Sequence, residues 1–304
     1  LEGAEISKKI KSEELAWVHL DATNEGARDW LRKEASYLDD LILNALLAEE
    51  TRPRILEFEN GVLLILRGMN LNDNAEPEDM LSVRLWVGPD RIISLQRRNV
   101  KAIQDIRGRL MAGNGPKNAA DFLVMLSARL FERMEPTLTE LDERTDDVEE
   151  KVMENPDITE RQEIVDIRRK AIVFRRHITP QRDVIAHLRT CEQSWLDAQH
   201  RRQLQESYDR LVRYVEDLDT VRERAQIVKD ELTNALSDRL NKNMYVLSVI
   251  AAIFLPLGFL TGLLGINIGG IPGADNESAF FIFCAILVAL VSGQVWLFKK
   301  LKWF

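Results

Sequence analysis

From Met244 to Leu264 the chain carries no Asp, Glu, Lys, Arg or His, and a second apolar run, Ala279 to Phe298, follows after a short polar break. A helix needs about 20 apolar residues, at about 1.5 Å of rise each, to cross a bilayer core. Buried helices of large soluble proteins can be equally apolar. Two adjacent runs of this length in a chain that is 30% charged speak against that reading. The sequence therefore predicts two transmembrane helices, 244–264 and 279–298, with an external loop at 265–278. Arg239 and Lys242 precede the pair and Lys299, Lys300 and Lys302 follow it, whereas the loop has no basic residue and carries the acids Asp275 and Glu277. By the positive-inside rule both termini are expected in the cytoplasm and the loop outside, where its acids would raise the local cation concentration.

Two details point from an anchor to a pore. Ala251, Ala252, Gly258, Thr261, Gly262 and Gly265 stud the first span, and small residues let helix backbones approach closely in lipid. Pro256 removes the hydrogen bond that the carbonyl of Ala252 would accept. The span then runs into Gly265-Ile266-Asn267. Repeated around a symmetry axis, the amide oxygen of Asn267 offers an uncharged acceptor for the water shell of a cation.

Upstream of the spans the pattern changes twice. Residues 1–98 read as a cytoplasmic α/β domain. Its expected elements are a strand at Leu15–Leu20, a helix capped by Asn24, a helix over Asp39–Ala48, and strands at Ile55–Phe58, Val62–Met69, Leu81–Val87 and Ile92–Gln96. Glu59-Asn60-Gly61 and Gly88-Pro89-Asp90 are hairpin signals, so a mostly antiparallel sheet is expected. Residues 99–193 read as a helical domain. Ala119 to Asn155 forms one acidic helical pattern with a kink at Pro136, and Asp157 to Arg189 returns as a basic helix, an arrangement that predicts an antiparallel pair held partly by ion pairs. From about Ser194 to residue 243, Leu204, Tyr208, Leu211, Val215, Leu218, Val221, Ala225, Val228, Leu232, Ala235 and Leu236 follow helical steps of three and four, a stalk helix with one apolar stripe. It runs unbroken into the first span. A rod on the order of 100 Å long, apolar on one side, needs neighbours, and a symmetric oligomer supplies them.

Other classes find little support. The net charge of −8 argues against nucleic acid as a partner, and no phosphate loop, Gly-x-Gly-x-x-Gly or HExxH occurs, so an enzyme is not expected. His19 reads as a satisfied or surface residue. Cys191 and Cys284 are too few for a disulfide framework. The chain starts at Leu1, so a native start is expected upstream, and its first residues show no signal-peptide pattern.

At Gly265-Ile266-Asn267, followed by a short loop, a second span and Lys299-Lys300-Leu301-Lys302-Trp303-Phe304, the chain resembles the CorA family of divalent-cation transporters. That family usually has Met where Ile266 stands. This replacement, with Gly269-Gly270-Ile271-Pro272-Gly273, Thr51-Arg52-Pro53-Arg54 and Thr179-Pro180-Gln181-Arg182-Asp183-Val184, is similar to the zinc-transporting branch. The resemblance covers essentially the whole chain. It implies an α+β cytoplasmic domain, a long stalk, two C-terminal transmembrane helices and a basic tail at 299–304. It also implies a funnel-shaped homopentamer in the bacterial inner membrane, with the first span lining the pore and the second forming an outer ring. The pore-facing positions it implies are Asn241, Met244, Leu247, Ala251, Leu255, Gly258 and Gly262, with Asn267 at the external mouth. Their spacing of three or four allows one common helix face, and Leu247 and Leu255 would form apolar constrictions that gate by dewetting.

The cargo implied is Zn²⁺, carried hydrated or partly hydrated because no carboxylate, thiolate or imidazole faces the expected pore, and the branch raises coupling to protons. No prosthetic group is expected. A dedicated zinc site would need His or Cys. His187 and Cys191 are four apart on one expected helix face, Asp197 and His200 three apart, and Asp230 lies on the stalk; the competing reading makes all of them surface features. Two alternatives stand beside zinc transport: a Mg²⁺/Co²⁺ channel of the same family, and a membrane-tethered coiled-coil scaffold that transports nothing.

Overall fold

The computed structural model describes residues 15–49, 51–265 and 276–300. They fall into two compact units, one ending at Leu232 and one beginning at Thr233.

In the first unit, β1 (Ala16–Asp21) leads into α1 (Glu25–Glu34) and α2 (Asp40–Leu47). Local chemistry starts both helices. Asn24 accepts from the backbone N–H of Ala27, and Asp39 from that of Leu41, as side-chain caps do. The strands β2 (Arg54–Phe58), β3 (Gly61–Gly68), β4 (Leu81–Val87) and β5 (Arg91–Gln96) form antiparallel neighbours in sequence. The turn into β3 requires Gly61: its φ is +155°, and a Cβ there would lie 2.5 Å from the carbonyl oxygen of Val87. The sheet order is β1-β5-β4-β3-β2, and β1 joins β5 in parallel, with Ala16 opposite Arg91 and Asp21 opposite Gln96.

Both faces of the sheet are covered. On one, Val18, Leu20, Leu63, Trp86, Ile93 and Leu95 form a buried cluster with Leu31, Ile42 and Leu46 of α1 and α2. Four helices follow, α3 (Lys101–Met111), α4 (Ala119–Glu132), α5 (Glu135–Glu154) and α6 (Glu160–Thr190), of which α4 and α6 pack on the sheet. The ring of Trp17 packs 4.8 Å from that of Phe122 in α4, and a Cβ on Gly68 would meet Leu130 at 2.8 Å. Double coverage explains why β3 reads as an unbroken apolar run rather than an alternation.

One helical expectation is corrected. The acidic pattern is not one kinked helix. It breaks after Glu132, and Pro136 sits in the first turn of α5, where its missing N–H costs nothing. α5 and α6 do form the expected ion-paired couple, with the charges reversed from their overall composition. Arg144 of the acidic helix binds Glu163 and Asp166 of the basic one at 2.6 and 3.0 Å. The acids Asp142, Asp146 and Glu149 instead gather Arg224 of α7 (Ala198–Leu264).

α7 is one helix of 67 residues. Within the first unit its stripe Leu204, Leu211, Val215, Leu218, Val221, Ala225, Val228 and Leu232 is buried, as its spacing predicts. The second unit holds the remainder of α7 and α8 (Ala279–Lys300).

Candidate ion-conduction site

Both apolar runs are helical, and almost none of either is buried. Leu255, Phe259, Phe280 and Phe281 are each more than 65% exposed. In water each such side chain would forgo about 1.5–3 kcal/mol of burial, so a lipid phase or further copies of the chain must cover this surface.

α8 lies antiparallel to the end of α7, since Ala252 meets Gln294 and Thr261 shares a groove with Leu287. The most covered strip of α7 here is Val249, Ala252, Ile253, Pro256 and Leu260. Met244, Leu247, Leu255, Gly258 and Gly262 are exposed and Ala251 is half-buried. At about 100° per residue, these positions lie about half a turn from the strip beneath α8. Asn241 is exposed one turn before them. The structure therefore leaves most of the seven sequence-predicted positions away from the second helix, although Gly258 borders the groove that Leu287, Val288, Val291 and Ser292 of α8 line, on a stretch whose side chains beyond Lys242 carry no charge at neutral pH.

The helix carries side chains of the kind that perturb helical hydrogen bonding. Thr261 Oγ1 donates to the carbonyl oxygens of Leu257 and Gly258 at 2.9 and 3.2 Å, and Ser248 Oγ donates to that of Met244 at 2.8 Å, contacts that bend helices slightly. Pro256 removes a helical hydrogen bond from Ala252, and Gln294 Nε2 of α8 supplies a substitute at 3.1 Å. Gln294 was missed in sequence reasoning. A lone amide in an otherwise apolar span was the available signal, because polar groups there are costly unless used. At the end of α7 the N–H of Gly265 donates to Thr261 at 2.9 Å. Ile266, Asn267 and Asp275 lie outside the described residues, as does Lys302 of the tail; Glu277 is exposed. Lys300 Nζ sits 5.1 Å from the ring of Trp296, a pairing suited to a membrane interface.

Of the expected cytoplasmic ligand pairs, Asp197 and His200 meet, whereas His187 and Cys191 take separate partners. α6 ends at Thr190, so Cys191 leaves the helix as its C-cap. The Cys191 thiol is 2% exposed and donates to the carbonyl of Leu188, and burial pushes its pKa up. His187 points elsewhere, its Nε2 2.6 Å from Glu57. Asp197 caps the start of α7, accepting from the N–H groups of Gln199 and His200 at 2.8 and 2.9 Å. Asp197 Oδ1 also lies 2.8 Å from His200 Nδ1, and His200 Nε2 lies 3.0 Å from Asp121 on its other side, so capping and side-chain contact share the three-residue spacing. Asp230 accepts from Gln226 at 2.8 Å. Among the described residues no group of three or more His, Cys, Asp or Glu side chains is arranged to hold a metal.

Two motif stretches without an assigned role do converge. The carbonyl oxygen of Thr51 accepts from Arg67 Nη2 at 2.5 Å, and Gln181 Oε1 accepts from the Arg67 backbone N–H at 2.5 Å. Arg67 of β3 thereby ties Thr51-Arg52-Pro53-Arg54 to Thr179-Pro180-Gln181-Arg182.

Comparison with known proteins gives the same outline. The family model described as "CorA-like Mg2+ transporter protein" matches residues 12–300. The zinc transport protein ZntB of Pectobacterium carotovorum is 40% identical over 97% of this chain and 89% of its own length. The divalent cation transporter CmaX of Pseudomonas aeruginosa is 37% identical over 96% of this chain and 88% of its own. The solved structure of full-length CmaX superposes with a TM-score of 0.84 at 36% identity, covering 96% of this chain and 90% of that one.

Proposed function

The chain belongs to the CorA family of divalent-cation transporters, and on that premise we propose that it carries Zn²⁺ across the bacterial inner membrane along a path lined by α7. The observation that carries this reading is the face of α7 turned from α8, from Met244 to Gly262, which bears no charge and is exposed at Met244, Leu247, Leu255 and Gly262. Copies of the chain arranged as a homopentamer would turn these faces toward one axis and leave α8 in the outer ring. Met244, Leu247 and Leu255 then set apolar constrictions, and Ala251, Gly258 and Gly262 let backbones approach. Asn241 forms a polar ring at the cytoplasmic boundary and Asn267 a second at the outer lip, with both termini cytoplasmic.

The chemistry follows from what the path lacks. Without thiolate, imidazole or carboxylate, Zn²⁺ meets no strong ligand there, so it moves with water around it and is released easily. Gly265, Ile266 and Asn267 would sort cations through amide and carbonyl oxygens, while Asp275 and Glu277 concentrate them outside. Zinc as the cargo is supported by the printed name of the 40% identical relative. The family model is named for Mg²⁺, which keeps magnesium as the second reading; coupling to protons belongs to the zinc reading.

Flux into proteoliposomes with Zn²⁺ and Mg²⁺ in parallel, with and without a pH gradient, tests the assignment. Zinc-selective uptake that Asn267→Ala alters is the expected outcome. Magnesium-selective uptake would transfer the chain to the second reading, and no uptake of either ion would leave a scaffold.

A further inference from the structure

The first unit contains a cleft of about 370 Å³ whose lining includes Arg67 of β3, Arg84 of β4, Arg97 and Arg98 just beyond β5, Glu78, and His177 of α6. Arg84 is 1% exposed. Its guanidinium makes one hydrogen bond, from Nη2 to the carbonyl oxygen of Glu49 at 3.3 Å, and its Nε and Nη1 have no partner among the described residues. The neighbouring carboxylates serve other cations. Glu49 binds Arg97 at 3.1 Å, and Glu78 binds Arg169 at 2.9 Å with Lys170 at 3.8 Å. Asp79 is exposed. Among the described residues no carboxylate comes within ion-pair distance of Arg84.

A buried cation without a counter-charge is costly to keep. Burial first, then the cations Arg97, Arg67 and Arg28, pull its pKa down to about 10, so its surroundings repel rather than balance it. Burial and then Arg67, Arg176 and Arg52 hold the His177 imidazole down to about 4, which marks the same cleft as electropositive. Arg84 lines the cleft with two nitrogens unpartnered among the described residues, and a guanidinium with N–H groups to spare is well suited to take up an oxyanion.

We propose that this cleft binds a phosphate-class oxyanion, taken up by the idle donors of Arg84, with the exposed Arg98 at its edge. The phosphate is either free or borne by a small nucleotide. The site lies outside the membrane-spanning unit, and its argument does not use the transport reading.

Thermal unfolding of the full chain in detergent, with inorganic phosphate raised at constant ionic strength set by chloride, tests the proposal. A bound anion lifts the Tm in proportion to the logarithm of its concentration. Wild type is expected to show that rise. Arg84→Met is expected to abolish it, with a phosphate-free Tm no lower than wild type because the unpaired charge is gone. Arg98→Ala, at an exposed position, is expected to fold normally and to need several-fold more phosphate for the same shift; it decides the matter if Arg84→Met does not fold. Adenosine monophosphate run in parallel separates the sources: a larger shift than phosphate names a nucleotide, an equal or smaller one the free ion. A flat wild-type response, or one that survives both substitutions, overturns the site.

Discussion

Gln294 Nε2 donates to the carbonyl oxygen of Ala252 at 3.1 Å, and Ala252 stands four residues before Pro256. A proline in mid-helix leaves that carbonyl without its usual donor. In a bilayer no water reaches it, so a partner must come from protein. The second span supplies the amide, and the defect in the first helix becomes the polar link between the two.

Gln294→Leu should therefore destabilise the hairpin by about 1 kcal/mol, the usual size of such a bond between membrane helices. Pro256→Ala restores the helical donor and should make Gln294 dispensable. A double-mutant cycle on unfolding in mixed detergent reads the coupling; strictly additive effects would show that the amide does not answer the proline.

The proposed path predicts an asymmetry of chemical access around α7. In a Cys284→Ser background, Leu255→Cys should react with a water-soluble cationic thiol reagent and lose flux. Ile253→Cys, on the strip beneath α8, should stay unlabelled. Equal labelling of both positions would remove Leu255 from a water-filled route.

His177 predicts acid sensitivity in the first unit. Its pKa is lowered to about 4, by burial first and then by Arg67, Arg176 and Arg52, against about 6.5 when unfolded. Between those values the unfolded chain binds the extra proton, so the native state loses stability as pH falls from about 6.5 toward 4. Glu49 and Glu78 share its cleft, so the comparison with a variant isolates the imidazole. His177→Gln should flatten the fall by on the order of 2–3 kcal/mol, measured by denaturant unfolding at stepped pH. Parallel curves for the two proteins would refute the assignment.

Arg224 gathers Asp146 and Glu149 at 2.5 Å each and Asp142 at 3.4 Å. Three carboxylates around one half-covered cation form a network rather than an isolated surface pair. Arg224→Met should cost about 1 kcal/mol at low ionic strength. The cost should shrink as salt screens the carboxylates left behind; a cost independent of salt would place the loss in packing instead.

The sequence by itself determined what neighbouring residues decide among themselves. The charge-free run from Met244 to Leu264, the stalk stripe from Leu204 to Leu232, the caps Asn24 and Asp39 and the Glu59-Asn60-Gly61 turn all act within a few positions, through helical period, side-chain reach or backbone φ. Tertiary structure alone decided which distant groups meet. It set β1 beside β5 in parallel, although 69 residues separate the end of one from the start of the other. It turned Cys191 inward and His187 toward Glu57, and it brought Arg224 rather than α6 to the acids of α5. It also placed Gln294 beneath Ala252 and left Arg84 buried with no carboxylate among the described residues in ion-pair reach. A polar side chain carries no local mark of its partner, because hydrogen bonds and ion pairs are won by proximity in the folded chain and not by spacing along it.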